Sequence, residues 1–172
     1  MNIFRHLGLT TALLGLPIVF FPSKILASEF LLSSQINPSL VNPVEVVLFD
    51  SAGDSCWTNF SEAKTYAENE LRKLGYEIGT TSANKFVIFV NSVRNNVVGL
   101  CFGQVEVTLR KGAEVGGIKG WLILGNSSIV FTRAQNADSL VLVAIESLTD
   151  AMMATAIETE ADTPPIEPVA KP

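Results

Sequence analysis

The run Phe86-Val87-Ile88-Phe89-Val90 constrains this chain more than any other segment. Five consecutive aromatic, β-branched or aliphatic residues between Lys85 and Asn91 are too few for a buried helix, and they are apolar at both strand parities. That pattern predicts a central strand buried on both faces of a sheet. A second run, Val44 to Phe49, is broken only by Glu45 and ends at the turn-rich Asp50-Ser51-Ala52-Gly53-Asp54, and it reads as another central strand.

Helical spacing appears between and after these runs. Phe60, Ala63, Ala67, Leu71 and Leu74 recur on one face of a helix expected over about 60–74, with Asn59 as N-cap, Glu62 as capping-box partner and Gly75 as the left-handed stop. Asn95-Asn96 predicts a turn, after which Val97 to Arg110 reads as a strand. Cys101, Val105, Val107 and Leu109 alternate there with Gln104, Glu106, Thr108 and Arg110. A loop carrying Gly112, Gly116 and Gly117 leads to a further strand or strand pair, Gly120 to Thr132, with a kink expected at Gly125-Asn126. Ala137, Leu140, Val141, Ala144, Ile145, Leu148 and Met152 then form one face of a last helix, with Asn136 at its start.

The order β-α-β-β-β-α predicts an α+β fold: one mostly antiparallel sheet of about four strands with two helices packed on it. In element order it is similar to the small periplasmic domains of envelope-assembly proteins, such as the N-terminal domain of the TolB translocation protein. That resemblance implies an exported, non-enzymatic role.

The chain begins with features of export. Arg5 and His6 precede the apolar run Leu7 to Phe21, which is interrupted by Pro17 and too short to span hydrocarbon. Residues 1–27 therefore read as a signal peptide cleaved after Ala27, leaving no stable membrane span. Residues 28–42 are expected to form an N-terminal arm, 43–157 the α+β domain, and 158–172 a disordered acidic tail with Pro164, Pro165, Pro168 and Pro172. Cleavage would remove Arg5 and Lys24, taking the positive count from 12 to 10 against 17 acids, a net charge of -7, and with them the sole histidine. No basic stripe is visible, which argues against nucleic acid.

In an oxidising periplasmic or extracellular compartment, Cys56 and Cys101 are expected to pair as a disulfide tying the start of the first helix to the sheet. Several fragments around Cys56 imitate catalytic motifs. Ser55-Cys56-Trp57 followed by Phe60-Ser61 resembles the block around the papain-family nucleophile, but the family's preceding cysteine is Gly53 here and no histidine base survives export. Gly53-Asp54-Ser55 resembles the opening of GDS(L)-type esterases, whose Asp-x-x-His is missing. The step from strand to Asp50 resembles haloacid dehalogenase phosphatases, with Ala52 in place of their second aspartate. Turn chemistry accounts for all three.

Neither a cofactor nor a metal is expected, since the cysteines stand 45 residues apart and no histidine remains for transition-metal spacing. Trp57, Trp121 and Glu114 are the candidate binding residues, with another protein or an envelope component as partner. Asn59 and Asn126 head glycosylation sequons of use only in a eukaryotic host. The expected function is a non-catalytic exported binding or envelope-assembly module. A secreted effector or inhibitor is the alternative, and a carboxylate-dependent hydrolase using two of Asp50, Asp54, Glu106 and Glu114 a further one.

Overall fold

The computed structural model describes residues 26–31 and 36–161, with side chains over 36–155. The expected signal segment up to residue 25 and the tail from 162 lie outside the described residues. The elements are β1 (Leu26–Leu31), α1 (Pro38–Val41), β2 (Val44–Ala52), α2 (Phe60–Lys73), β3 (Asn84–Asn95), β4 (Leu100–Val115), β5 (Ile118–Ala134) and α3 (Asp138–Ala161). From β2 onward this is the expected β-α-β-β-β-α, an α+β fold with a single sheet.

The strands lie in the order β1-β5-β4-β3-β2, which makes β2 an edge strand and not the central strand its apolar run predicts; its helix-side residues Val44 and Val46 are buried under the helices, and beyond β3 it pairs, among the described residues, only with Ile78, through an isolated parallel bridge from Val44. Among the described strands, β2 and β3 run parallel, as the intervening helix α2 requires, and the other neighbours are antiparallel. The sheet therefore has a fifth strand beyond the expected four. β1 starts at Leu26, spans the expected cleavage point after Ala27 and enters the segment read as an arm. α1, which begins at Pro38, occupies the same segment, with Asn37 Oδ1 accepting from Ser39 N at 2.9 Å.

One face of the sheet carries α2 and α3. Val44 and Val46 of β2, Phe86, Ile88 and Val90 of β3, Val105, Val107 and Leu109 of β4, and Ile129 and Phe131 of β5 meet Ala63, Ala67 and Leu71 of α2 and Val141, Ile145 and Leu148 of α3 in one buried cluster. Burying each of the larger side chains stabilises the fold by about 1.5–3 kcal/mol. The small residues Ala63, Ala67, Ala137 and Ala144 let helix backbones approach sheet and neighbour closely. Opposite Ser92, the chain requires glycine: a Cβ on Gly103 would strike Asn91 O and come within 2.6 Å of Ser92 Cα. The register shifts between Cys101 and Gly103 on the same strand.

Several local expectations are corrected. Asn59 occupies the N-cap position of α2 but makes no side-chain cap bond; its Nδ2 donates instead to Glu62 Oε2 at 3.1 Å and to Asp138 O at 3.3 Å. The turn after β3 centres on residues 96–99, because Asn95 Oδ1 accepts from Val97 N and Val98 N, and Gly99 supplies the positive φ. β4 thus starts at Leu100, three residues later than expected, and β3 runs to Asn95. The segment around Gly112 is no loop: β4 continues to Val115 and β5 starts at Ile118, leaving only Gly116 and Gly117, at φ 60° and 81°, as a two-residue hairpin turn. The expected kink near Gly125 is a register shift beside Leu109 and Arg110. α3 runs on to Ala161, so residues 158–161 of the expected disordered tail are helical.

Candidate functional site

The segment from Phe49 to Phe60 is a junction fastened on every side. Asp50 Oδ1 accepts from Ala52 N at 2.8 Å, closing an Asx turn at the end of β2. Asp54 and Ser55 then adopt left-handed φ of 54° and 58°, each at a cost of about 1–2 kcal/mol for a residue with a Cβ. Arg94 offsets that strain, donating from Nε to Asp54 O at 3.0 Å, from Nη2 to Ser55 O at 3.3 Å and from Nη1 to Gly99 O at 2.7 Å. Cys56 is fully buried and bonded to Cys101, as expected.

Beyond the disulfide, Asp138 at the start of α3 accepts from Thr58 N at 2.8 Å, Thr58 Oγ1 at 2.6 Å and Asn59 N at 3.4 Å. Ala137 N donates to Cys56 O at 2.6 Å. One carboxylate thus holds the starts of two helices together across 80 residues of chain. The fragments that imitate nucleophile motifs are committed to this junction: Cys56 carries no thiol, and the strained Asp54-Ser55 pair is held through its carbonyls. The disulfide is compatible with an oxidising, exported compartment.

Trp57 is not on the surface. It is 2% exposed, packs against Phe60 at a tilt of 53° with ring centroids 4.4 Å apart, and donates Nε1–H to Asn59 Oδ1 at 2.9 Å. Its candidacy as a binding residue is corrected by burial, since a core indole offers no face to a partner. The same bond, together with those to Glu62 and Asp138, engages the amide of Asn59, and Asn126 lies within the sheet between β1 and β4.

Trp121 and Glu114 are exposed, on a ribbon formed by the ends of β4 and β5. The last β3–β4 pair is Lys85 with Arg110, so residues 111–122 project beyond β3 as two strands alone. This arm exposes Val115, Ile118, Trp121 and Leu122, and Ile123 at its base is also exposed. Trp121 forms a wall shared by two hollows: one of about 410 Å³ under the arm, with Ala83, Glu114 and Lys119, and one of about 300 Å³ on the sheet, with Val47, Phe49, Val87, Lys85 and Arg110.

The second hollow belongs to the sheet face turned away from the helices. Cross-strand pairing places Val47 and Phe49 of β2, Val87 and Phe89 of β3, and Thr108 and Arg110 of β4 on that face. No described helix packs there, although Phe49 is 52% exposed and Val130 comparably so. Glu45 accepts from Lys85 Nζ and from Ser82 N, and these bonds, the lysine's first, hold its carboxyl below the usual glutamate range.

The four candidate hydrolytic acids are scattered. Glu106 and Glu114 share the strand β4 eight positions apart, about 26 Å at strand rise, beyond the 5–9.5 Å that glycoside chemistry uses. Asp50 serves its own turn, and Asp54 lies in the Arg94-clamped bend. Among the described residues, no group of three or more His, Cys, Asp or Glu could hold a metal ion, and no helix is long and apolar enough to cross a membrane.

No family model matches the chain, and no curated protein does. Among solved structures, two crystal forms of the PelC dodecamer from Paraburkholderia phytofirmans align over 77% of this chain and 96% of theirs. A point variant aligns at 16% identity with a TM-score of 0.41, and the other form at 14% and 0.40.

Proposed function

We propose that the protein is an exported, non-catalytic binding module that works through the open sheet face and the β4–β5 arm, in a periplasmic or extracellular setting. The carrying observation is Trp121: a 52% exposed indole between two hollows, on a ribbon whose other exposed side chains are largely aliphatic. On its own face of the ribbon Trp121 neighbours the exposed Ile123, while Val115, Ile118 and Leu122 line the opposite face; an exposed indole beside a hollow is the kind of aromatic anchor that supplies interface energy out of proportion to its number. Support against a catalytic role comes from the junction at Cys56, whose thiol is consumed by the disulfide, with the Asp54 and Ser55 carbonyls clamped by Arg94 and Asp50 Oδ1 engaged in its own turn.

Capture from envelope extract tests the reading. Trp121→Ala should lose the captured component while leaving the melting temperature in place, and Ser55→Ala, Asp54→Ala and Glu114→Ala should leave any hydrolytic background unchanged. Turnover of an ester or glycan that disappears with Ser55→Ala or Asp54→Ala would refute it.

A further inference from the structure

We infer that the open sheet face is a homodimer surface, packing against the same face of a second copy of this chain. The inference rests on the reading of that face as a binding surface and names its partner.

Charge is the first argument. The cross-strand register puts six charged side chains on this face and its extension along the arm: Glu45, Glu106 and Glu114 against Lys85, Arg110 and Lys119. Three of each sign make the face neutral, while the whole chain carries -5, so all of the net charge lies elsewhere. Glu45 and Lys85 pair with each other within one copy, and Glu106, Glu114, Arg110 and Lys119 let each copy offer both signs to the other, which is the self-complementarity that a two-fold interface needs. The same balance disfavours an anionic bilayer, which would select a basic surface.

Area is the second. Four strands at about 4.8 Å spacing, over about seven residues of shared register, with the two-stranded arm added, present roughly 600 Å² in projection. A surface covered with side chains has more accessible area than its projection, which brings the face to the ~800 Å² per partner of a stable complex. Val47, Phe49, Phe89, Trp121 and Val130 supply the apolar part, and two sheets pack face to face by interdigitating such residues about 10 Å apart. The dyad apolar pattern of Phe86–Val90, which predicts cover on both sides, then has a second layer.

Sedimentation velocity of the full chain, as processed by the exporting cell, tests this over a concentration series. The expected result is the mass of two copies, with Phe49→Asp and Trp121→Asp each weakening association at least tenfold while the melting temperature changes little. Val97→Asp, at a position 92% exposed on the β3–β4 turn, should leave the mass unchanged. A single-copy mass up to about 100 µM would overturn the homodimer, as would equal dissociation by all three variants. If the monomer still captures an envelope component and Phe49→Asp abolishes that capture, the homodimer fails while the binding reading stands. If neither association nor capture involves the face, both fail.

Discussion

Replacing both Cys56 and Cys101 by alanine tests how this domain is held together. The bond closes a loop of 45 residues, and in the chain-entropy model opening it returns about 4 kcal/mol of freedom to the unfolded state at 25 °C. Both sulfurs are fully buried, so the alanines also leave a small cavity, adding about 1 kcal/mol. The junction has other fastenings that the substitutions do not touch, Ala137 N to Cys56 O, Thr58 to Asp138 and the pairing of residue 101 with Ala134, and they should keep it from fraying. The loss therefore falls on global unfolding. A total of about 5 kcal/mol corresponds to a fall in melting temperature of roughly 15–20 °C for a domain of this size. Thermal and urea unfolding measure it, and the urea slope should rise because the uncrosslinked chain exposes more surface. A double variant melting within about 5 °C of the parent, with an unchanged slope, would refute the assignment to chain entropy.

Further outcomes follow from the same contacts. Asp138→Ala should destabilise by about 2–3 kcal/mol in urea unfolding, because its carboxylate accepts three bonds from the α2 start, and Asp138→Asn should cost less. Gly103→Ala should cost more than about 3 kcal/mol, since the new Cβ meets the β3 backbone, whereas Gly99→Ala, at φ +69° in open space, should cost only about 1 kcal/mol. Glu45 has a lowered folded-state pKa, so its contribution is present above the ordinary glutamate range and is lost as pH falls through the folded value; stability profiles of Glu45→Gln should lack that acid-side fall.

The helix-bearing face of the fold was legible because its signals are local and periodic. Phe86–Val90, the alternation through Leu109 and the spacing of Val141, Ile145 and Leu148 each encode burial within a few residues. β1 was not legible: its pairing partner is β5, about a hundred residues away, and nothing within Leu26–Leu31 announces an edge strand. The extension of the arm was missed because Gly112 read as a loop former, whereas the structure places Gly112 beside Ala83, where a Cβ would come within 3.0 Å of its carbonyl oxygen. Trp57 and Trp121 show the limit at the site. One indole is core and the other surface: Trp57 stands in the junction that Ala137 and Asp138 fasten to Cys56 and Thr58, a long-range pairing that spacing along the chain does not carry.

The placement of β1 also bears on when this sheet becomes complete. Leu26 pairs with Val130 and Leu31 with Gly125, so the first described strand closes against the last described one, and the edge cannot form until nearly all of the described domain is available. Such non-local closure makes folding slow relative to helix and hairpin formation, because the loop entropy must be overcome before the pairing contributes. The β3–β4–β5 meander can assemble from neighbours in sequence, and β1 then acts as the final latch, engaging only once β5 is in place.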